Sequence, residues 1–240
     1  VYDSYIKVYD FYKKYGLTSV DGFGTPLLIL TDYCDSTKNP VNNAVYLGMC
    51  SGWAVFSASA VNDFGECIDV AAHEFTHGIT DYASGGNLYQ NQSGAVNEGI
   101  SDVCGNLCEM LLGATTDDTW LLGENSGSAI RCMSAPWMYG QPSAMYDSYY
   151  YPETDAPDLY NDYGGVHINS SLIGYVGYQL CNAGMTKEQA FGLWMGALRM
   201  MTPKSGYQEV HQALKFAADI RGMDNSWQYK IDSICGNAGY

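Results

Sequence analysis

The sequence predicts an α+β fold of two lobes, strand-rich at first and mainly helical afterwards. Three observations carry this expectation. Short apolar runs broken by Asn, Asp, Gly and Pro crowd the first sixty or so positions; apolar residues at helical spacing dominate from about 166 onward; and two longer helical stretches, Asp69 to about Ala83 and Ala95 to Leu112, stand between them. Hydrophobic residues fill 47% of the 240 positions and charged ones 15%, enough apolar material for a sizeable core and too much for a disordered chain.

In chain order, Tyr2, Tyr5, Ile6, Tyr9 and Tyr12 repeat at spacings of three and four, which predicts an amphipathic helix over 2–15 that Gly16 can end. Residues 26–31, 44–48 and 53–59 read as short strands. Residues 113–164 are rich in Gly, Pro, Ser, Asp and Tyr and show no period; a connection that long is expected to shape a site or hold an ion. Helical patterns return at about 166–183, 186–200, 206–221 and 226–235. The expected organisation is one unit over 1–240 without a linker: a strand-rich lobe (1–68), a central helix (69–84) and a mainly helical lobe (85–240).

Eleven Lys+Arg stand against 26 Asp+Glu, a formal charge of −15. A nucleic-acid partner needs a basic footprint that this chain lacks, and an acidic membrane surface would repel it. No window approaches 18 consecutive apolar residues, so no membrane span is expected. Val1–Ser4 has neither the basic nor the apolar region of a signal peptide. Eight cysteines without a Cys-x-x-Cys favour an oxidising compartment, with buried free thiols as the other reading.

The chemistry-bearing pattern is His73-Glu74-Phe75-Thr76-His77, which holds two of the four histidines. On a helix, positions i and i+4 share a face, so both imidazoles can reach one zinc ion while Glu74 lies beside the open coordination site. On the pentapeptide alone, a helix with two hydrogen-bonded histidines also satisfies the pattern. Downstream, Asn97-Glu98-Gly99-Ile100-Ser101-Asp102 supplies Glu98 as a third ligand, and Asp102 one turn further on the same face can hold the second nitrogen of a zinc-bound histidine. His211 matches no motif and is expected to be structural.

With Gly164-Gly165-Val166-His167-Ile168-Asn169-Ser170 added, the three motifs in this order resemble the thermolysin-like neutral metalloproteases, and the resemblance covers nearly the whole chain, including Asn42-Asn43-Ala44, Asp81-Tyr82, Tyr89-Gln90-Asn91 and Arg131-Cys132-Met133-Ser134. It implies a two-lobed zincin with the cleft across the central helix. It implies zinc on His73, His77 and Glu98, Glu74 as general base, and Asp102 with Asn97 behind the ligands. Tyr89 and His167 would donate to the oxyanion, with Asp162 orienting His167. Asn43 and Ala44 would pair with the substrate backbone, Arg131 with a substrate carbonyl, and Val70, Leu122 and Ile130 would line an apolar specificity pocket. Taken singly, Tyr89, Arg131 and the three pocket residues would read as ordinary core or surface positions.

The resemblance also implies calcium near Asp69, Glu109, Asp117 and Glu124, with Asp118 nearby; Leu121 occupies another acidic position, which favours one calcium over two. Cysteine staples are then expected at Cys67–Cys108, Cys181–Cys235, Cys34–Cys50 and Cys104–Cys132. The given sequence does not carry the family's long β-rich segment ahead of the first helix; either a minimal lobe or a processed form is expected, with a more open upper cleft wall. The expected function is a secreted, monomeric zinc endopeptidase acting on polypeptides at the amino side of bulky hydrophobic residues. Two rivals stand beside it: an inactive zinc-bearing module that binds peptides, and a metal-dependent hydrolase of non-peptide substrates.

Overall fold

The computed structural model describes residues 1–31, 43–50, 53–58, 64–114 and 120–240; Cys34, Asn42, Asp117 and Asp118 lie outside them. Helix α1 (Tyr2–Lys14) forms as the spacing predicts, but its buried face is Tyr5, Val8, Phe11 and Tyr12; of the expected stripe, Tyr2 and Ile6 are exposed, because Val8 and Phe11 turn the core-facing side away from them. Gly16, at φ +81°, returns its N–H to the Lys13 carbonyl at 3.0 Å and ends the helix where expected. Strands β1 (Leu27–Thr31), β2 (Ala44–Cys50) and β3 (Trp53–Ala58) form one sheet in the order β1-β3-β2, with β1 parallel and β2 antiparallel to β3. Among the described residues β2 is therefore an edge strand, and it is bulged: Tyr46 faces Phe56, the next pair is Gly48 with Val55, and Leu47 is left over. Phe56 joins the sheet to the helices, its ring 5.4 Å from Tyr5 and stacked at 6.2 Å on Phe75.

Helix α2 (Ile68–Ser84) carries His73–His77 and ends at Gly85 in the left-handed conformation. Helix α3 (Asn91–Leu112) is buried continuously from Ser93 to Glu109 and forms the centre of the molecule. It starts four residues before the predicted Ala95, because its first turn is polar and leaves no apolar period to read. Gly105 lets α3 approach α2 closely, since a Cβ there would fall 2.5 Å from the Asp69 carbonyl oxygen.

Among its described residues ahead of Asp162, the predicted irregular stretch holds short strands β4 (Leu121–Leu122) and β5 (Arg131–Cys132), paired with each other, and single 3₁₀ turns. The helical lobe is completed by α4 (Asp162–Asn169), α5 (Ser171–Asn182), α6 (Lys187–Leu198), α7 (Tyr207–Ile220) and α8 (Ser226–Ala238). The predicted helix over 166–183 is thus two. Ser170 and Ser171 sit at the junction with their hydroxyls donating back to the His167 and Ile168 carbonyls at 2.9 and 3.0 Å, a pattern that bends helices. No helix among the described residues is long and apolar enough to cross a membrane.

The expected cysteine staples require correction. Cys104, Cys108, Cys132 and Cys235 are free thiols, so Cys67–Cys108, Cys181–Cys235 and Cys104–Cys132 are not bonded; Cys34–Cys50 falls outside the described residues. Cys104 instead points across the core to Met195, with the sulfurs 3.9 Å apart, and Cys132 lies 3.3 Å from the Ser134 hydroxyl. Burial pushes the Cys104 and Cys108 thiols well up, which keeps them protonated and unreactive.

Candidate active site

Helix α2 forms the floor of a cleft of about 870 Å³ and presents Val70, His73, Glu74, His77 and Asp81 to it. The i, i+3, i+4 spacing of a helix face puts these side chains in one row. Strand β2 walls the cleft with residues Ala44 to Gly48, Asn43 lying just ahead of them; Glu98 and Tyr89 enter from α3 and its approach, and His167 from α4.

His73 Nε2, His77 Nε2 and the Glu98 carboxylate converge. The two nitrogens are 2.9 Å apart, and they lie 3.5 Å (His73) and 3.3 Å (His77) from the nearer Glu98 oxygen. Tetrahedral zinc ligands at 2.0–2.1 Å would be separated by about 3.4 Å, so the triangle has the size such an ion needs. Its protonation logic points the same way. His73 Nδ1 lies 2.9 Å from Asp102 and His77 Nδ1 lies 3.0 Å from Asn97 Oδ1, both acceptors. Each neutral ring then carries its proton on Nδ1, and two Nε2 lone pairs face each other. Glu98 Oε2 is buried without a hydrogen-bond donor. Two opposed lone pairs and an orphaned carboxylate oxygen are stable around a cation and costly without one.

The metal-free electrostatics express the same demand. Burial works against charge on His73, but Asp102 and Glu98 outweigh it and raise the imidazole to about 10. Burial likewise works against the Glu98 carboxylate, yet His167, His77 and His73 hold it well below the usual carboxylate range.

The partners of the two histidines divide more finely than the sequence indicates. Asp102 serves His73, while Asn97 serves His77, joined by the Ser101 hydroxyl at 3.3 Å. Ser101 gave no sequence signal beyond lying one turn from the histidine-facing Asn97. Glu74 is buried, and its Oε2 accepts the Tyr46 backbone N–H of β2 at 2.6 Å. That bond ties the carboxylate to the edge strand; it is a tertiary contact that no motif encodes.

His167 is aimed by an unusual turn. Asp162, Tyr163, Gly164 and Gly165 all have positive φ, from +52° to +85°, before α4 becomes right-handed at Val166. A Cβ on Gly164 would fall 2.0 Å from Asn91 Oδ1, and one on Gly165 would fall 2.6 Å from Tyr151 Cβ, so both positions need glycine for space as well as for φ. The Asp162 carboxylate closes the turn by accepting the His167 and Ile168 backbone N–H groups at 2.8 and 3.3 Å, and its Oδ1 lies 2.6 Å from His167 Nδ1. His167 Nε2 thereby faces the centre, 3.1 Å from the Tyr89 hydroxyl and 3.4 Å from Glu98. Tyr89 donates a short hydrogen bond to Glu98 Oε1. Burial lowers the basicity of His167, but Glu98 and Asp162 more than restore it.

Val70, Leu122 and Ile130 line the same cleft beside Arg131. Ile130 is 41% exposed, so this pocket is open at one side. The backbone holds it together: Ile130 N–H donates to the Leu122 carbonyl at 2.7 Å beside the β4–β5 pair. The Arg131 guanidinium is buried, 2.8 Å from Asp102 and 3.5 Å from Glu98. Its first commitment is to these carboxylates, with its Nε unpaired.

Asp69, Glu109 and Glu124 form a second convergence behind α2. Burial lifts Asp69 to about 6. Burial together with Asp69 and Glu124 lifts Glu109 to about 8, and burial also raises Glu124, whose Oε2 is buried without a donor. Asp117 and Asp118 are outside the described residues. His211, with Nε2 2.8 Å from Asp232 at the α7–α8 contact, takes no part in either cluster.

Comparisons with known proteins give the family and the fold. Residues 3–81 match the model of the thermolysin metallopeptidase catalytic domain, and residues 86–233 that of the thermolysin metallopeptidase alpha-helical domain. A thermolysin of Alicyclobacillus acidocaldarius subsp. acidocaldarius is 33% identical over 245 residues, covering 95% of this chain and 42% of the relative. A bacillolysin of Bacillus amyloliquefaciens is 34% identical over 227 residues, covering 92% of this chain and 40% of the relative. The precursor of protealysin, a metalloproteinase from Serratia proteamaculans, has the same fold with a TM-score of 0.80 at 26% identity, covering 99% of this chain and 76% of that one. The chain thus spans about two fifths of the length of the curated relatives it matches.

Proposed function

The chain belongs to the thermolysin metallopeptidase family, and from that premise we propose that residues 1–240 are the catalytic unit of a secreted zinc endopeptidase that cuts polypeptides on the amino side of bulky hydrophobic residues. The observation that carries the reading is the convergence of His73 Nε2, His77 Nε2 and Glu98, with Glu74 beside them, in a cleft walled by an edge strand.

His73, His77 and Glu98 would hold zinc, which when bound would supply a Lewis acid that lowers the pKa of water to about 7 and polarises the peptide carbonyl. The remaining work falls to this chain's own groups. Asn43, just ahead of strand β2, and Ala44 with the backbone groups that follow it offer an edge to an extended peptide, the recognition mode of strand addition. Glu74, fixed by the Tyr46 N–H, takes the proton of the attacking water on one oxygen and delivers it to the departing nitrogen. The Tyr89 hydroxyl and His167 Nε2 lie beside Glu98 and donate to the negative oxygen that develops on the attacked carbonyl. Asp162 accepts the Nδ1 proton of His167 and, with Glu98, favours the imidazolium, whose Nε2–H is then the donor. Arg131, neutralising Asp102 and Glu98, reaches the backbone carbonyl beyond the cut bond. Val70, Leu122 and Ile130 receive the side chain that follows it; burying a Leu or Phe there gives about 1.5–3 kcal/mol, roughly 10- to 150-fold over Gly.

We read the chain as one unit acting as a monomer, with one structural calcium at Asp69, Glu109 and Glu124. The three convergent carboxylates, all lifted by burial, support the ion. Presence of Glu74, His167 and Tyr89 together argues against an inactive peptide-binding module, since mere binding requires no proton carrier or oxyanion donor. The deciding experiment measures metal content and maps cleavage of a denatured protein with and without a chelator. One zinc per chain and cuts before Leu, Phe, Ile or Val that stop on chelation are expected. Zinc without cleavage would establish the binding-module reading instead, and cuts clustered before Asp, Glu or Lys would overturn the pocket assignment.

A further inference from the structure

We propose that Tyr163, together with Leu159, forms a second apolar subsite that selects an aromatic side chain on the acyl side of the cut bond. The inference rests on the endopeptidase reading above and begins from a backbone cost. Tyr163 sits at φ +52° and ψ +33°, in the left-handed region, flanked by residues that also have positive φ. For a bulky residue with a Cβ that conformation is unfavourable, and a glycine would occupy it without strain. Non-glycine residues persist in such positions where the surroundings hold them and the side chain has a task.

The surroundings do hold it. The Tyr163 N–H donates to the Asp158 carbonyl at 2.7 Å, the Gly164 N–H donates to Asn161 Oδ1 at 3.0 Å, and Asp162 is pinned to the first turn of α4. The side chain also has a place to work. Its half-buried ring lines the cleft and meets the Tyr89 ring edge-on at 5.9 Å, 69° between planes. Leu159, 72% exposed, lines the cleft from the same turn. An exposed Leu beside a partly exposed aromatic ring is an unfilled apolar wall.

The direction of the cleft assigns the wall to one side of the bond. Along α2, Val70, His73, His77 and Asp81 follow one another at successive turns over about 16 Å, the length of roughly five residues of extended peptide. The Val70–Leu122–Ile130 pocket is at the amino end of this row and the convergent metal ligands are in the middle. Tyr163 packs on Tyr89, whose ring lies 6.4 Å from that of His77, and so belongs to the His77 side of the row, away from Val70. If the residue after the cut bond enters the Val70 pocket, the acyl-side residues pass Tyr163. An aromatic side chain there meets a ring in the edge-to-face geometry such pairs prefer.

The test uses quenched fluorescent peptides that keep Leu after the cut bond and carry Ala or Phe at each of the first two acyl-side positions. The measured quantity is the Phe/Ala ratio of kcat/KM. Wild type should prefer Phe about tenfold at one of the two positions. Tyr163→Gly, whose backbone suits φ +52°, should reduce that ratio to about twofold or less, and Tyr163→Phe should retain it. The Leu/Ala ratio after the bond should be the same in all three proteins, which separates a lost subsite from a general loss of activity. Cleavage without any acyl-side preference in wild type, or a preference that survives in Tyr163→Gly, overturns the subsite and leaves the endopeptidase reading intact. A wild type that cuts none of the peptides overturns that reading itself.

Discussion

Calcium should stabilise this protein far more at neutral pH than at pH 5, and the size of the difference follows from the buried carboxylates. Asp69, Glu109 and Glu124 place ligand oxygens within 4.8 Å of one another, and Asp69 and Glu109 are essentially inaccessible to solvent. Burial raises Asp69 from 3.8 to about 6 and, with its acidic neighbours, Glu109 from 4.5 to about 8. In the unfolded chain both ionise near pH 4. Between there and pH 8 the cation-free folded state therefore binds more protons than the unfolded state, so its stability falls as the pH rises through that window. A shift of about two units at Asp69 alone corresponds to about 3 kcal/mol, or about 6–12 °C in Tm for a chain of this size. A cation that replaces the protons restores the loss only where the carboxylates have ionised. The assay is calorimetry of the zinc-loaded protein near pH 5 and near pH 7.5, with and without millimolar calcium. A rise of that size near pH 7.5 and a small one near pH 5 is expected. Glu109→Gln should be more stable than wild type at the higher pH without calcium, and should gain little from it. A calcium effect equal at the two pH values, or one that survives Glu109→Gln, would refute the argument.

Five further outcomes are expected. Glu74→Gln should keep its zinc by elemental analysis and lose at least about 10²–10⁴-fold in turnover, because the proton carrier is gone while no ligand is; His77→Ala should lose the metal itself. His167→Ala should lower kcat by about 10²–10³ with KM changed much less, since its donor acts on the developing charge. Asp162→Asn should give a smaller loss in the same direction; a change confined to KM would make His167 a binding residue. Thiol titration in denaturant without reductant should count at least four thiols, those of Cys104, Cys108, Cys132 and Cys235; none would overturn the thiol assignment.

Much of the candidate site was legible because it lies on helix faces. His73 with His77, and Glu98 with Asp102, are spaced by one turn, so periodicity alone puts each pair on one face. What periodicity cannot see is where two faces meet. The close approach of α3 to α2 depends on Gly105, and the Tyr46 N–H bond to Glu74 depends on sheet order; neither leaves a local pattern. The Asp162–Gly165 turn is a run of left-handed residues, for which apolar spacing carries no information, and only the Gly164-Gly165 pair marked it. The polar first turn of α3 was missed for the same reason. The eight cysteines misled because a count is silent on geometry: Cys104 and Cys132 each pack against a neighbour other than the proposed partner.

The charges around the cleft explain why these residues act as a set. Glu98 and Asp102 bring two buried negative charges to the ligand histidines, and Arg131, 2.8 Å from Asp102, returns one positive charge. A divalent ion on His73, His77 and Glu98 leaves this inner group at about +1, and Glu74 brings the surroundings near neutrality. In the proposed mechanism Glu74 becomes neutral on taking a proton from water, and the negative charge reappears on the substrate oxygen. No charge would be created in the buried site; one would move from a carboxylate held by the Tyr46 N–H to a position faced by Tyr89 and His167. Moving a charge between two sets of fixed donors requires little reorganisation, which is where preorganised sites gain most. Arg131→Ala should therefore change more than substrate binding. It would leave Asp102 and Glu98 uncompensated and the ligand group one charge more negative, which favours a doubly charged ion over a proton at His73. A metal titration of Arg131→Ala should show higher zinc affinity along with higher KM. Unchanged zinc affinity would mean that Arg131 serves the substrate alone.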